Sequence, residues 1–310
     1  MSKYPIKKEF FPFNHLKPPI KNPQSAGKMG EMMKPPKWLW KDKEISVRIE
    51  RIGGYRGDMI EVFVMEPKEI ETDSCLIYYH GGGFFFEGAG YHYSNAKAYA
   101  LNVPCKVVFV QYRLAPKHPF PIPAEDSYEA LKWTYEHADE LGISKEKIAL
   151  GGDSAGACLA AAVTQMARDR GLDIKMKFQL LIYPFVDQSM SSESNRRFTD
   201  TPMWNSTLSK QMTGGYVQDP NVENFVYASP IEGDLQGLPA AYIETAEFDC
   251  LHDDGINYGK KLEEAGVAVR INETKGTMHG FDIVQKAPTT KAAVATRICY
   301  MRQGFELVES

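Results

Sequence analysis

One pentapeptide in this 310-residue chain has the residue types and spacing of an activated nucleophile: Gly152-Asp153-Ser154-Ala155-Gly156. A serine hydroxyl is a weak nucleophile until a neighbouring base takes its proton. A sharp turn between a strand and a helix exposes it, and glycine two positions to either side removes side chains that would collide across that turn. The flanks fit. Residues 147–150 read as a short apolar strand, and the Ala-rich run 155–168 reads as a helix. A helix beginning at Ala155 also aims its free N–H groups at the place where an oxyanion would develop. The competing reading is a phosphate loop, but a Walker loop needs Lys after its second Gly, and here Ala157 follows Gly156.

A second signal is His80-Gly81-Gly82-Gly83-Phe84, directly after the strand-like run 75–80. Three successive glycines cost conformational entropy on folding, and a backbone that must approach a substrate oxygen justifies them. Such a loop supplies the other half of an oxyanion hole. A base and an acid remain to be found. On a strand–serine–helix turn the chain order is Ser, then Asp or Glu, then His. Only His252 and His279 follow Ser154. His252 opens a helix-like run three residues after Asp249, too close to be its independent partner; His279 sits in a glycine-flanked loop after the last strand-like run. Nine aspartates lie between Ser154 and His279. Asp249 stands out because it closes the apolar run 240–248, and ligands bind at the carboxyl ends of parallel strands. Asp253 and Asp254 read as helix N-terminal acids.

These groups need a scaffold. Strand-like runs occur at 45–52, 59–65, 75–80, 106–112, 147–150, 178–183, 240–248 and 267–274, the first two as a hairpin. Helix-like runs at 124–138, 155–168, 253–265 and 294–308 separate or follow the later strands. That alternation implies βαβ units and a mostly parallel sheet flanked by helices. Residues 1–44, rich in Pro, Lys, Met and aromatics, show no period; 187–222 is too long for a plain loop and reads as a partly helical insertion. Both are expected to fold over the sheet as a cap on one domain spanning 1–310. In the loop after the glycines, Phe84, Phe85 and Phe86 are expected to shorten the acyl side of the site. Met29, Met32, Met33, Met203, Trp204 and Met212 are candidates for its cap wall, with ordinary packing the alternative.

Composition narrows the class. The chain is 43% hydrophobic and 25% charged with net charge −4, which suits a globular fold and gives no basic footprint for nucleic acid. Five scattered cysteines with no CxxC pair suggest neither a disulfide framework nor a zinc site. The opening residues lack the apolar run of roughly 7–15 residues that marks a secretory signal. No run approaches the ~20 residues that span a bilayer. A reducing cytoplasm is the expected compartment.

Taken in order, His80 to Phe84, Tyr112-Arg113-Leu114-Ala115-Pro116, Gly152 to Gly156, Ala246-Glu247-Phe248-Asp249 with Asp253, and His279-Gly280-Phe281 resemble the hormone-sensitive-lipase-like family of bacterial esterases. The resemblance covers about residues 70–285; Cys250 stands where that family has proline. It implies an α/β-hydrolase fold with an eight-stranded sheet, oxyanion donors at Gly82, Gly83 and Ala155, and a frequent homodimer. It further implies a carboxylesterase acting on small esters with Ser154, His279 and Asp249 as its triad, needing no cofactor or metal. Arg113 and Asp126 belong to the same pattern and read as scaffold, with Asp126 capping the helix near Pro123. Two other readings stay open: a peptidase or amidase with the same triad, and a non-catalytic ligand-binding protein on the same scaffold.

Overall fold

The computed structural model describes residues 3–219 and 221–307. Its centre is an eight-stranded sheet: β1 Ile45–Gly53, β2 Met59–Pro67, β3 Cys75–Tyr79, β4 Lys106–Gln111, β5 Ile148–Asp153, β6 Gln179–Ile182, β7 Ala241–Phe248 and β8 Val269–Met278. The spatial order is β1-β2-β4-β3-β5-β6-β7-β8. β2 pairs antiparallel with both β1 and β4; every other pairing is parallel. Strands covered on both faces read as unbroken apolar runs. β3 and β5 follow that rule, with every residue buried.

The α-helices among the described residues are α1 Pro23–Gly30, α2 Gly90–Asn102, α3 Ile122–Glu136, α4 Ala138–Leu141, α5 Ala155–Asp169, α6 Glu193–Arg197, α7 Ser206–Tyr216, α8 His252–Glu264 and α9 Pro288–Gly304. The alanines of α5 have a packing reason: Ala155 through Ala167 are all buried, so small side chains let this helix lie close on the sheet.

Several elements differ from the sequence expectation. β5 does not stop at Leu150 but continues through Gly151 and Gly152 to Asp153. Glycine is a poor strand former, yet both are paired here in the middle of the sheet, Gly151 with Tyr78 and Leu180, Gly152 with Tyr79 and Leu181. β8 likewise runs on to Met278, so His279 follows it directly. α2 was not foreseen. It buries His92, Tyr93, Asn95, Ala96, Tyr99 and Ala100, a polar and aromatic set with no clean apolar stripe to read. α9 starts at Pro288 rather than at 294, and Val308, its expected end, lies outside the described residues.

The two segments without strands lie against each other. The N–H of Met203 donates to the carbonyl of Leu16 at 2.8 Å, and the Tyr4 hydroxyl donates to Asp200 at 2.5 Å. α1 and α7 touch so closely that a Cβ on Gly215 would meet Pro23 at 2.6 Å. Residues 1, 2 and 220 of the expected cap segments lie outside the described residues.

Candidate active site

The turn from β5 into α5 is tight enough to exclude side chains. A Cβ on Gly156 would sit 1.9 Å from the carbonyl oxygen of Tyr79, and one on Gly152 would sit 2.4 Å from the carbonyl carbon of Gly156. Between them Ser154 has φ 55° and ψ −117°, a conformation costly for a residue with a Cβ. The turn places Ser154 directly past the end of β5, at the carboxyl end of the sheet.

The structure brings the three residues expected from the sequence into one chain of hydrogen bonds. Ser154 Oγ lies 2.8 Å from His279 Nε2, and His279 Nδ1 lies 2.7 Å from Asp249 Oδ2. A carboxylate only accepts, so Nδ1 carries the imidazole proton and Nε2 faces the serine as acceptor. The other oxygen of Asp249 accepts the N–H of Leu251 at 2.9 Å, which fixes the carboxylate plane. Asp249 is fully buried, whereas Ser154 and His279 keep 6% and 7% exposure, enough for a small molecule to reach them. The Tyr183 ring stands edge-on to the His279 ring at 4.9 Å.

Sheet register explains the meeting of Asp249 and His279. Ala246 of β7 pairs with Thr274 of β8, but Phe248 pairs with Met278, because an irregularity gives β8 extra residues at that point. Glu247 holds the bulged backbone by accepting the N–H of Gly276 at 2.7 Å. The next residue on each strand is then Asp249 on one and His279 on the other. His252 is engaged elsewhere, with Asp253 at 2.8 Å and Glu273 at 3.2 Å. Asp253 accepts the N–H of Ser194 at 2.8 Å and Asp254 accepts from Asn195 at 3.1 Å, so both tie α8 to α6 as structural acids.

The glycine loop faces the serine. Gly82 and Gly83 have φ +119° and +60°, which only glycine adopts cheaply, and both line one cavity together with Ser154 and His279. Ala155 opens α5, so its N–H is one of the free donors of that terminus. A network that sequence reasoning missed ties the loop to the serine turn. Asp153 accepts from the Gly81 N–H at 3.1 Å and the Tyr78 hydroxyl at 2.7 Å, and His92 Nε2 lies 3.0 Å from its other oxygen. His92 Nδ1 accepts the Ala89 N–H at 2.8 Å, which leaves Nε2 as the donor to Asp153. Burial opposes ionisation of Asp153, but His92 and Tyr78 outweigh it and hold its carboxyl below the ordinary range. The signal for Asp153 was its place in the pentapeptide; His92 sits on the unforeseen α2 and gave none.

The cavity measures about 220 Å³. Met29, Met33, Phe86, Met203 and Trp204 line it, as the sequence suggested. Phe84 does not: its ring stacks on Tyr216 at 3.6 Å. Phe85 is buried against Gly30 and Gly215, Met212 is buried, and Met32 is exposed to solvent. Arg113 and Asp126 pair away from the cavity at 2.7 Å and clasp the β1–β2 hairpin through Tyr55. Asp126 lies inside α3 rather than capping it, because that helix already begins at Ile122. No group of three or more His, Cys, Asp or Glu side chains able to hold a metal occurs among the described residues. No described helix is long and apolar enough to cross a membrane.

Known proteins resemble the chain on these same parts. A family model described as alpha/beta hydrolase fold matches residues 76–283. The carboxylesterase NlhH of Mycobacterium tuberculosis is 38% identical over 75% of this chain and 74% of its own length. Among solved structures, a bacterial heroin esterase superposes with a TM-score of 0.78 at 33% identity, covering 90% of this chain and 88% of that one. A hyperthermophilic esterase from the archaeon Pyrobaculum calidifontis superposes with 0.81 at 33% identity, covering 91% and 92%.

His80, which opens the glycine loop, yields a test of stability. It is fully buried, its ring stacked on Tyr112 at 4.6 Å, and its Nδ1 bonds the Gly81 carbonyl at 2.8 Å. Burial first, then the neighbouring His92, push its pKa down to about 4. The unfolded chain binds this proton near the ordinary value of ~6.5. Between those values the unfolded state holds more protons, so stability is full above pH ~6.5 and falls as pH drops toward 4. The gap corresponds to about 3 kcal/mol. Urea unfolding at pH 7.5 and 4.5 checks this. The wild type should lose stability in that window, and a folded His80→Gln variant should show a shallower slope; equal slopes would contradict it.

Proposed function

Because the chain belongs to the hormone-sensitive-lipase-like family of α/β hydrolases and is a carboxylic ester hydrolase, we propose that it cleaves short-acyl esters through a covalent intermediate on Ser154. The observation that carries this reading is the unbroken relay from Ser154 Oγ through His279 to Asp249, at 2.8 and 2.7 Å. His279 Nε2 takes the hydroxyl proton as Oγ attacks the ester carbonyl. Asp249 keeps the proton on Nδ1 and stabilises the imidazolium that forms. The N–H groups of Gly82, Gly83 and Ala155 receive the oxyanion, a contribution worth several kcal/mol where donors are fixed in advance. His279 then gives its proton to the leaving alcohol, and water hydrolyses the acyl-enzyme by the same steps in reverse. A ligand-binding protein without catalysis would have no use for a strained serine held within reach of a base.

The substrate range follows from the walls. We assign residues 1–44 and 187–222 to a cap, since the cavity takes Met29 and Met33 from the first segment and Met203 and Trp204 from the second. About 220 Å³ is below the ~300–1,000 Å³ common for drug-sized ligands. Trp204 limits it near the chemistry: its ring lies 6.3 Å from that of His279 and within 2.6 Å of where a Gly83 Cβ would be. Each methylene buried adds ~0.8 kcal/mol while space lasts and nothing afterwards.

Two experiments test this function. Ser154→Ala should keep the fold and lower kcat by ~10⁶, and Asp249→Asn by ~10⁴, while Asp253→Asn and Asp254→Asn should cost far less. Near-normal turnover by folded Ser154→Ala, or a reversed ranking of the acids, would remove the triad assignment. On p-nitrophenyl esters of two to sixteen carbons, kcat/KM should rise from acetyl through the short chains and then drop. A maximum at twelve carbons or more would overturn the short-acyl reading, and cleavage of p-nitroanilides in preference to esters would favour an amidase.

A further inference from the structure

The mechanism leaves one charged group of the cavity unused. Glu87 lines the same cavity as Ser154, His279 and the oxyanion glycines, and it is the only acidic residue there among the described residues. No Lys or Arg lines that cavity with it, although Glu87 also borders a neighbouring cavity lined by Arg113 and Lys117. The two histidines of the wall are committed: His279 to Ser154 and Asp249, His92 to Asp153 and the Ala89 N–H. Among the described residues, no side-chain hydrogen bond or ion pair engages the Glu87 carboxylate. The groups that act on it at longer range are Lys34, which is exposed, and Glu61, which is exposed and of like charge. Burial pushes its carboxyl above the ordinary range, so the carboxylate is held in an environment that disfavours it. A cationic ligand in the cavity would favour the carboxylate form.

The remaining walls narrow the kind of cation. Phe86, Tyr91 and Trp204 bring three aromatic rings to the cavity, and Met29, Met33 and Met203 bring three thioethers. Aromatic faces attract a cation through the ring quadrupole, most effectively one that is weakly hydrated, and a quaternary or tertiary ammonium is of that kind. Thioethers are soft and polarisable and adapt to its methyl groups. A primary ammonium or guanidinium would instead need hydrogen-bond acceptors, and the cavity offers few beyond Glu87. We propose that Glu87, with the aromatic and thioether wall around it, selects esters that carry an alkylated ammonium group next to the scissile bond. The inference rests on the carboxylesterase reading and names the substrate class of that site.

The test compares two esters of equal shape. Acetylcholine carries a trimethylammonium group where 3,3-dimethylbutyl acetate carries a neutral tert-butyl group. At pH 8 and low salt the wild type should show kcat/KM about tenfold higher for the choline ester, a factor in the range of one cation–carboxylate and aromatic contact. The ratio should shrink as salt is raised, because the contact is partly exposed and therefore screened. Glu87→Gln should bring the ratio close to one, and Glu87→Lys should push it below one. Measuring both esters on one preparation cancels any general loss of activity in a variant. Hydrolysis of p-nitrophenyl acetate by the wild type tests the esterase reading separately. With that activity present, a wild-type ratio near one, or a ratio unchanged in Glu87→Gln, overturns the inference. If folded wild type fails on p-nitrophenyl acetate as well, the function beneath the inference falls and takes it along.

Discussion

The site depends on one backbone contact, where the end of β3 meets the first turn of α5. The Tyr79 carbonyl oxygen occupies the space that a side chain at position 156 would need. Only glycine permits that approach, and the approach sets the rest. With α5 packed this close, the turn at Ser154 has no room to relax, and the serine keeps its positive φ. The same closeness brings the loop leaving β3 alongside the turn leaving β5. Asp153 then spans the gap, accepting from Gly81 on one side while His92 and Tyr78 hold it from the others. Ser154 and the glycine loop thus belong to one hydrogen-bonded unit rather than two loops that happen to be near.

Asp249 and His279 are carried by a second unit, the pair β7 and β8, with β6 between it and the strand that leads to Ser154. Its anchor is buried charge. Arg297 of α9 is fully buried between Glu244 of β7 and Asp282, which lies just past His279, and bonds Asp282 at 2.5 Å. Charges withdrawn from water stay ionised only when paired this well, and loss of one partner would leave the others uncompensated. The network therefore holds the segment after His279 against strand and helix at once. Among the described residues, the segments before β1 and after β6 meet instead through hydrogen bonds, the exposed Lys3–Asp200 ion pair and aromatic contacts such as Tyr4 against Phe198 at 5.7 Å.

Much of this was legible in the sequence, for identifiable reasons. The pentapeptide around Ser154 and the triple glycine are local steric statements, so they can be read without the fold. The chain order of Ser, Asp and His needs only topology. What escaped reading was non-local. The irregularity between β7 and β8 that sets His279 beside Asp249 depends on which residues pair across two strands, and no local pattern reports that. His92 was invisible because α2 is wrapped in polar and aromatic contacts and shows no apolar stripe. Phe84 and Phe85 looked like pocket walls from their place after the glycines. The positive φ of Phe84 (71°) instead turns its ring away to stack on Tyr216, and of the three only Phe86 lines the cavity.

The central claim is that Ser154 Oγ is the atom that becomes acylated. A fluorophosphonate reacts only with a serine whose base and oxyanion donors are in place, so labelling reads the assembled site rather than any single residue. Intact-mass and peptide mass spectrometry after brief treatment should show one phosphonyl group per chain, on the peptide holding Gly152 to Gly156, with Ser154 as the modified residue. No adduct on the folded protein, or an adduct on another residue with Ser154 unmodified, would contradict the account.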